Sequence, residues 1–381
     1  MNKSVTIIDV GSSKITALTG ERGVNGTFAV HSVYDAEYEG FSEGKFFDES
    51  DFRNAVITAL SAVVDSSYKR INEIFVGVPG AFIRIENRKF RLSFGRRKRV
   101  SEKDENDLIE AGKKKIALDG YEPIYASAIY YSLDDNRKVL DPRGVATTSL
   151  GGLVTYQLCE KYFSDAVRSA VASVVKTDVG FVFDGYAEGR FLLGESDYAR
   201  LIIDVGYITT TSTVFMGNGV IAKDSFDFGG GYLTAALVEK YGLSPSSAEK
   251  LKREVSLGYI RGGKSQYLAE LDGDLKSLSV EDVNETVKSA LDELAGNVDS
   301  FLEENSAKVK INEIYITGGG ISAVRGAAEH IAGRLGQAVE VLAPSVPGYN
   351  KAIYSSAISL LDFALSNKKR FYGGIRYGFN R

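Results

Sequence analysis

Apolar positions along this chain fall into short β-branched runs and into helical periods, and the two alternate. Residues 5–10, VTIIDV, form a run of the length of one buried strand. Residues 15–33 hold two further strand-like runs, joined by a hairpin that Gly20, Gly23 and Gly26 mark. Phe52, Val56, Leu60 and Val63 then recur on one face of a helix that Ser50 is placed to cap. Residues 71–78 read as the next strand. Three strands, a helix and a strand are the order of an RNase H-like domain.

Residues 82–158 break that order. Ile83 and Ile85, then Phe90, Leu92 and Phe94, alternate as two strands about a turn at residues 86–89. Arg96, Arg97, Lys98 and Arg99 follow, a basic run that reads either as a solvated turn or as a polymer or membrane contact. Ser101 and Asp104 have the spacing of a capping box ahead of a helix through Leu108 and Ile109. Strand-like segments over 124–158, broken at Asp141-Pro142-Arg143-Gly144, complete a small inserted α+β subdomain. Beyond it, residues 162–175 are an amphipathic helix and 181–184 a strand ending in an acid. Residues 214–223 read as a hairpin about Gly217-Asn218-Gly219. Residues 246–252 open a helix, and residues 279–301 keep a 3.6-residue period through Val283, Val287, Leu291, Leu294, Val298 and Phe301. A helix is expected to begin near Ser322, and another spans 352–365.

Two segments occur twice. Ile7-Ile8-Asp9-Val10-Gly11 repeats as Ile202-Ile203-Asp204-Val205-Gly206, and Ile71-Asn72-Glu73-Ile74 repeats as Ile311-Asn312-Glu313-Ile314. An ancient duplication of one α/β unit is the simplest account. Each first segment is a strand that ends in Asp-x-Gly and enters a hydroxyl-rich turn, with Ser12, Ser13 and Lys14 after one and Thr209 and Thr210 after the other. Glycine lets such a backbone approach a ligand closely, and successive N–H groups make a concavity for an anion. An Asp beside the anion repels it, but holds a hydrated Mg²⁺ that bridges to phosphate. Two such turns face to face would grip a polyphosphate, with Mg²⁺ between Asp9 and Asp204. Lys14 reads as a cation aimed at the phosphates or as a solvated lysine. Asp184 is a candidate to orient attacking water, or an ordinary turn or cap residue. Gly230 and Gly231 permit close approach to phosphate or sugar, as would a plain helix-entry loop. Glu249 and Lys252 share a helix face and suit a ribose and base, or a surface ion pair. Gly318, Gly319 and Gly320 place backbone where a flat adenine ring could lie.

Length and composition bound the rest. At 381 residues more than one domain is expected. A net charge of −4 does not favour nucleic acid. Cys159 is the one cysteine, which excludes an internal disulfide, and His31 and His330 are the only histidines, which disfavours a Cys/His nucleophile or a His-built zinc site. No run of eighteen apolar residues exists to span a membrane as a helix, and no signal peptide is read at the start. Residues 368–381 interleave basic and aromatic side chains, with Phe371, Ile375 and Phe379 four apart. That tail reads as a membrane-surface helix or as a disordered basic end.

On these motifs the chain resembles the actin-like ATPase superfamily, and within it the FtsA family of bacterial cell-division proteins, over nearly its whole length. Gly11 to Lys14 resembles the first phosphate motif, Asp204 to Thr211 the second, and Ile316 to Gly320 the adenosine motif. The choice of FtsA rests on residues 40–48, the VGVPGA segment at 76–81, Ser101 to Lys115 and the Asp141–Gly144 turn, which resemble the insert found in FtsA and in its pilus-assembly relative PilM. The resemblance implies an α/β actin-like fold of two duplicated RNase H-like lobes about a nucleotide cleft. It divides the chain into first-lobe parts at 1–81 and 161–195 with the insert at 82–160. The second lobe takes 196–242 and 310–350 around a helical subdomain at 243–309. A first-lobe helix at 351–367 and the tail at 368–381 close the chain. It implies ATP and Mg²⁺ as cofactors and at most slow ATPase activity. It implies self-assembly into filaments, binding to the FtsZ tail, and a cytoplasmic place on the inner membrane face at the division site. Alternatives on the same fold are a PilM-like or plasmid-segregating assembly protein and a metabolic kinase. The chain departs from the family at Tyr207 and Ile208, where glycine is usual, and at Asp184-Gly185-Tyr186-Ala187, where Glu-Pro-x-Ala is usual. It also has no tryptophan for the tail.

Overall fold

The computed structural model describes residues 4–23, 27–66, 71, 73–113, 116, 118–258, 265–271, 273–367 and 376–378. The first lobe begins with β1 (Val5–Val10), β2 (Lys14–Arg22) and β3 (Phe28–Glu37), an antiparallel meander. A two-residue hairpin, β4 (Phe41–Ser42) and β5 (Lys45–Phe46), leads to α1 (Glu49–Asp65). β6 (Glu73–Val78) then pairs in parallel with β1. The insert follows as β7 (Ile83–Arg99), α2 (Glu102–Lys113), β8 (Tyr121–Ser132), β9 (Lys138–Val139) and β10 (Ala146–Glu160). The chain returns through α3 (Lys161–Ala172) and β11 (Asp178–Phe183), then crosses through α4 (Asp184–Glu188) and a π-helical turn at Gly189–Leu193.

The second lobe repeats the plan. It comprises β12 (Ala199–Val205), β13 (Thr209–Met216), β14 (Gly219–Asp227), α5 (Gly230–Tyr241) and α6 (Pro245–Glu254). A hairpin of β15 (Gln266–Leu271) and β16 (Asp274–Ser279) precedes α7 (Val280–Asn305). Then come β17 (Ile311–Thr317), α8 (Ala327–Leu335) and β18 (Val339–Val341). The chain ends its described course in α9 (Ser355–Ser366), packed against the first lobe, and β19 (Arg376–Gly378), paired in parallel with β8.

The duplication is explicit in the sheets. One runs β3-β2-β1-β6-β11 and the other β14-β13-β12-β17-β18. Register repeats as well: Ile7 faces Phe75 and Ile8 faces Val76, just as Ile202 faces Tyr315 and Ile203 faces Ile316. The two repeated segments are therefore hydrogen-bonded neighbours in each lobe. Both central strands are buried on both faces, which is why they are continuously apolar. Each lobe closes its own core, one through Phe52, Phe75, Phe163 and Phe363 and the other through Leu201, Leu237, Leu291 and Val298.

Several local expectations need correction. Residues 86–89 are not a turn: β7 is one strand of 17 residues, because β10 lies antiparallel along it from Cys159 opposite Ile83 to Ala146 opposite Arg99. The basic run is the end of that strand. Lys98 Nζ pairs with Asp104 at 2.5 Å, and Arg97 and Arg99 donate to the carbonyls of Ala146 and Gly144 at 3.2 and 2.8 Å. Asp48, not Ser50, caps α1; its extended backbone lets Oδ1 accept from the N–H of Ser50 at 2.8 Å and of Asp51 at 3.2 Å. The helix expected near Ser322 starts at Ala327, because residues 321–326 are taken up by turns, with Val324 N–H donating to Ile321 O at 2.9 Å, and by the bridge of Arg325 to Ser256. The region read as helical between 243 and 309 also carries the β15–β16 hairpin. The capping box is as expected: Ser101 N–H donates to Asp104 at 2.9 Å, and Asp104 N–H to Ser101 Oγ at 3.4 Å. Residues 368–375 and 379–381, the greater part of the tail reading, lie outside the described residues.

Candidate functional site

The two Asp-x-Gly turns close the same way. Gly11 N–H donates to Lys14 O at 3.0 Å, and Gly206 N–H to Thr209 O at 2.9 Å. They meet across the lobes, where Ile208 N–H donates to Ser12 Oγ at 2.9 Å. Between them opens a cleft of about 570 Å³. Asp9, Gly11, Ser12, Ser13, Lys14 and Asp184 line it from the first lobe and the crossing helix; Asp204, Gly206, Thr209, Glu249, Lys252 and Gly318–Gly320 line it from the second.

Four acids surround its floor. Asp9 and Asp204 sit at corresponding strand ends, and Ser356 Oγ of α9 donates to Asp9 at 2.6 Å. Burial pushes the Asp9 carboxyl up to about 6, with Ser356 and Lys14 pulling the other way. Burial and then the charge of Asp9 push Asp204 up to about 7. Asp184 opens α4, buried; burial and the charges of Asp9 and Asp204 hold it well above the usual carboxylate range. Glu188, one turn further along α4, is shifted the same way by burial and by Asp204, Asp184 and Asp9. Among the described residues no group of three or more His, Cys, Asp or Glu side chains converges closely enough to hold a metal ion directly. The donor set suits an ion held through water.

The remaining candidates sort by geometry. Lys14 lines the cleft, yet its ammonium is bound to Asp35 at 2.7 Å, where Thr16 also donates to that carboxylate at 2.6 Å. Thr210 is fully buried and donates to Phe228 O at 2.7 Å, so its hydroxyl points away from the cleft and fixes the entry to α5. Gly230 and Gly231 do not line the cleft. A Cβ at Gly230 would lie 2.5 Å from Gly320 O, and Gly231 N–H donates to Tyr207 O at 2.7 Å. These glycines admit neighbouring backbone rather than a ligand. Gly318 has φ +94, and a Cβ there would lie 2.3 Å from Asp204 Oδ1. Gly320 is equally tight, its Cβ position 2.1 Å from Gly206 O. Gly319 alone of the three is exposed, with the Ile353 side chain beside it.

Glu249 and Lys252 are more than a surface pair. Lys252 is 3% exposed, and its ammonium binds Glu249 at 2.6 Å, Gly230 O at 2.9 Å and Thr234 Oγ1 at 3.2 Å. Burial raises the Glu249 carboxyl, but the hydrogen bonds from Lys252 and Thr234 outweigh it and the net shift is downward. Tyr207, at the family's glycine position, lies at the cleft edge with the Lys252 ammonium 5.7 Å from its ring centre. Sequence reasoning passed over Glu188, Ser356 and Tyr38, whose hydroxyl donates to Gly11 O at 2.7 Å. Glu188 had a signal, its four-residue spacing from Asp184; Ser356 comes from a helix 347 residues away from its partner and had none.

Comparison with known proteins narrows the reading. The family described as "SHS2 domain inserted in FTSA" matches residues 80–156, and "Type IV pilus assembly protein PilM" matches residues 192–353. The cell division protein FtsA of Staphylococcus epidermidis is 22% identical over 369 residues, 94% of this chain and 78% of its own length. The chain is thus similar to FtsA over nearly its whole length, and it has an actin-like fold. That fold is shared with a PilM–PilN type IV pilus biogenesis complex (TM-score 0.60, 14% identity, 95% of this chain and 98% of that one). It is also shared with MreB5 of Spiroplasma citri bound to ADP (TM-score 0.58, 11% identity, 96% and 97%). In the FtsA-like chain no helix of the described residues is long and apolar enough to cross a membrane.

Proposed function

We propose that this cleft binds ATP with Mg²⁺, and that the protein is an actin-like cell-division adaptor. The observation that carries the reading is the pair of duplicated glycine turns facing each other across about 570 Å³, above a half-buried Asp at each corresponding strand end. The unpartnered Oδ1 of buried Asp184 is a second sign that something polar belongs there. Ser12, Ser13 and Thr209 would meet phosphate, Lys14 after leaving Asp35, and Glu249 and Lys252 the ribose. Gly319 would meet the adenine, and Asp9 and Asp204 the hydrated Mg²⁺. Bound Mg²⁺ would neutralise phosphate charge; Asp184 would orient water for a slow hydrolysis that Tyr207 further restricts. The main effect of the nucleotide is to close the lobes, which are already linked by Ser12 and Ile208, and so to shift the population toward an assembling state.

The relatives named as cell division protein FtsA support a cell-division role. In this reading the protein assembles into filaments in the cytoplasm, on the inner face of the membrane at the division site, and tethers FtsZ through the C-terminal tail of FtsZ. The tail at 368–381 would supply the contact with anionic lipid. A PilM-like scaffold is the second reading, favoured by the match over residues 192–353. The test is a titration of the purified protein with Mg·ATP against a labelled FtsZ C-terminal peptide. Saturable micromolar binding supports the adaptor. A flat response, with Mg·ATP still raising the melting temperature, moves the function to the scaffold reading.

A further inference from the structure

The sheet of the insert is guarded differently on its two sides. β7 ends one side of the order β19-β8-β10-β7. It carries eight Lys or Arg side chains in 17 residues, and its register against β10 breaks between Ser93 and Lys98. Charge and irregularity of that kind keep an edge from pairing with another strand. β8 lacks the charge: no charged side chain stands from Pro123 to Leu133. Pro123, which has no N–H, blunts one end of β8, and β9 covers the other at Tyr131 and Ser132. Between them lies an uncharged edge that can accept a strand.

Residues 376–378 fill it. β19 runs parallel to β8, with Arg376 opposite Tyr125, Tyr377 opposite Ala126 and Gly378 opposite Ser127. Tyr125, Ala126 and Ser127 are fully buried, so their outward backbone groups need partners within the protein. The chain is delivered to that edge. Phe363, in the last turn of α9, packs on Tyr125 with ring centres 5.2 Å apart, so the tail leaves α9 beside the strand it joins. A short tether makes the pairing intramolecular and raises its effective concentration. The same residues cannot serve two surfaces at once. Phe371, Ile375 and Phe379 share a face only where 371–379 is helical, and 376–378 are extended.

We propose that the outer edge of β8 is a strand-docking site whose occupant is the chain's own segment at 376–378, and that this strand and a membrane-surface helix are alternative states of one tail. On the insert the tail is withheld from lipid. An anionic surface wins it by drawing its basic side chains to the headgroups. The outcome is a shift of population, set by the difference between the two contacts. The exchange between states rests on the reading of the tail as a lipid contact; the docked strand does not.

The experiment uses the full chain, with hydrogen–deuterium exchange over β8 and sedimentation with vesicles of phosphatidylserine and phosphatidylcholine. In a parallel pair alternate residues direct N–H and C=O to the neighbour, so the double variant Tyr377→Pro, Gly378→Pro removes a donor whichever residue faces β8. It leaves every basic side chain in place. Without vesicles it should speed exchange of amides at 124–130 by about fivefold or more, the factor that one net hydrogen bond is worth. Tyr377→Val, Gly378→Val keeps both donors and should exchange as wild type does. The mixed vesicles should speed the same amides in wild type, and vesicles of phosphatidylcholine alone should not. Exchange at 124–130 that the proline pair leaves unchanged overturns the docking site. Vesicles that bind the wild type yet leave its exchange at 124–130 unmoved overturn the competition between strand and lipid. A wild type that binds no vesicles removes the lipid reading of the tail, and with it the second state, whatever the exchange shows.

Discussion

Gly318 and Gly319 are adjacent, yet alanine at the two should do different things. At Gly318 φ is +94, and a side chain in that region costs about 1–2 kcal/mol. The added Cβ would also stand 2.3 Å from Asp204 Oδ1 and 2.4 Å from Val205 O. Backbone cannot yield as a side-chain end does, and forcing a methyl into such packing costs about 1–3 kcal/mol more. Gly318→Ala should therefore lose about 2–5 kcal/mol, much of an ordinary domain's stability, and should displace Asp204. At Gly319 the φ is ordinary and the nearest atom is Ile353 Cγ1 at 3.0 Å, a movable side chain. Gly319→Ala should stay within about 1 kcal/mol of wild type by the scale of helix and loop substitutions. It should still reduce the stabilisation by Mg·ATP, because the methyl occupies exposed space where the base is placed. Urea midpoints give the first quantity, and melting with and without Mg·ATP gives the second. Equal losses at the two positions would refute the steric argument. An unaltered ligand shift in Gly319→Ala would refute the placement of the adenine.

Other outcomes follow from the same geometry. Glu249→Gln should cost about 1–3 kcal/mol in urea denaturation, since it takes the charged partner from the buried Lys252 ammonium. The raised carboxyls predict opposite pH trends: below pH 4 folded and unfolded states bind the same protons, and between there and about 6 for Asp9 and about 7 for Asp204 the folded state binds more. Ligand-free stability should thus fall as pH rises through 4–7, while Mg·ATP affinity rises as the acids ionise; melting and binding measured on one pH series check both, and parallel trends would contradict the assignment. Mg·ATP at a hundred times its Kd should add about 2.7 kcal/mol of stability, and no shift in the wild type would remove the nucleotide reading. Removal of residues 368–381 should reduce sedimentation with anionic liposomes, and unchanged binding would take the membrane role from the tail.

Local chemistry determined a good part of this protein from the sequence alone. The repeated Asp-x-Gly strands and their partner strands announce two like sheets, because an apolar β-branched run that meets a glycine turn has few other places to go. The Ser101–Asp104 box and the Gly217-Asn218-Gly219 hairpin are self-contained within a few residues, and so were legible. That Asp9, Ser12, Asp204 and Thr209 stand at two like strand-to-turn corners was legible for the same reason, since each corner is built within a few residues. What depends on a distant partner was not. Period-two alternation shows that residues 83–99 are extended, but only β10, some 60 residues on, decides that they do not turn. Thr210 and Gly230 look like ligand contacts until the packing of Phe228 and Gly320 claims them. Asp35 holds Lys14, and burial seals the Glu188 carboxyl at the cleft wall. Burial, electrostatic neighbourhood and close backbone contact are properties of the assembled lobes, so only the tertiary structure could decide them.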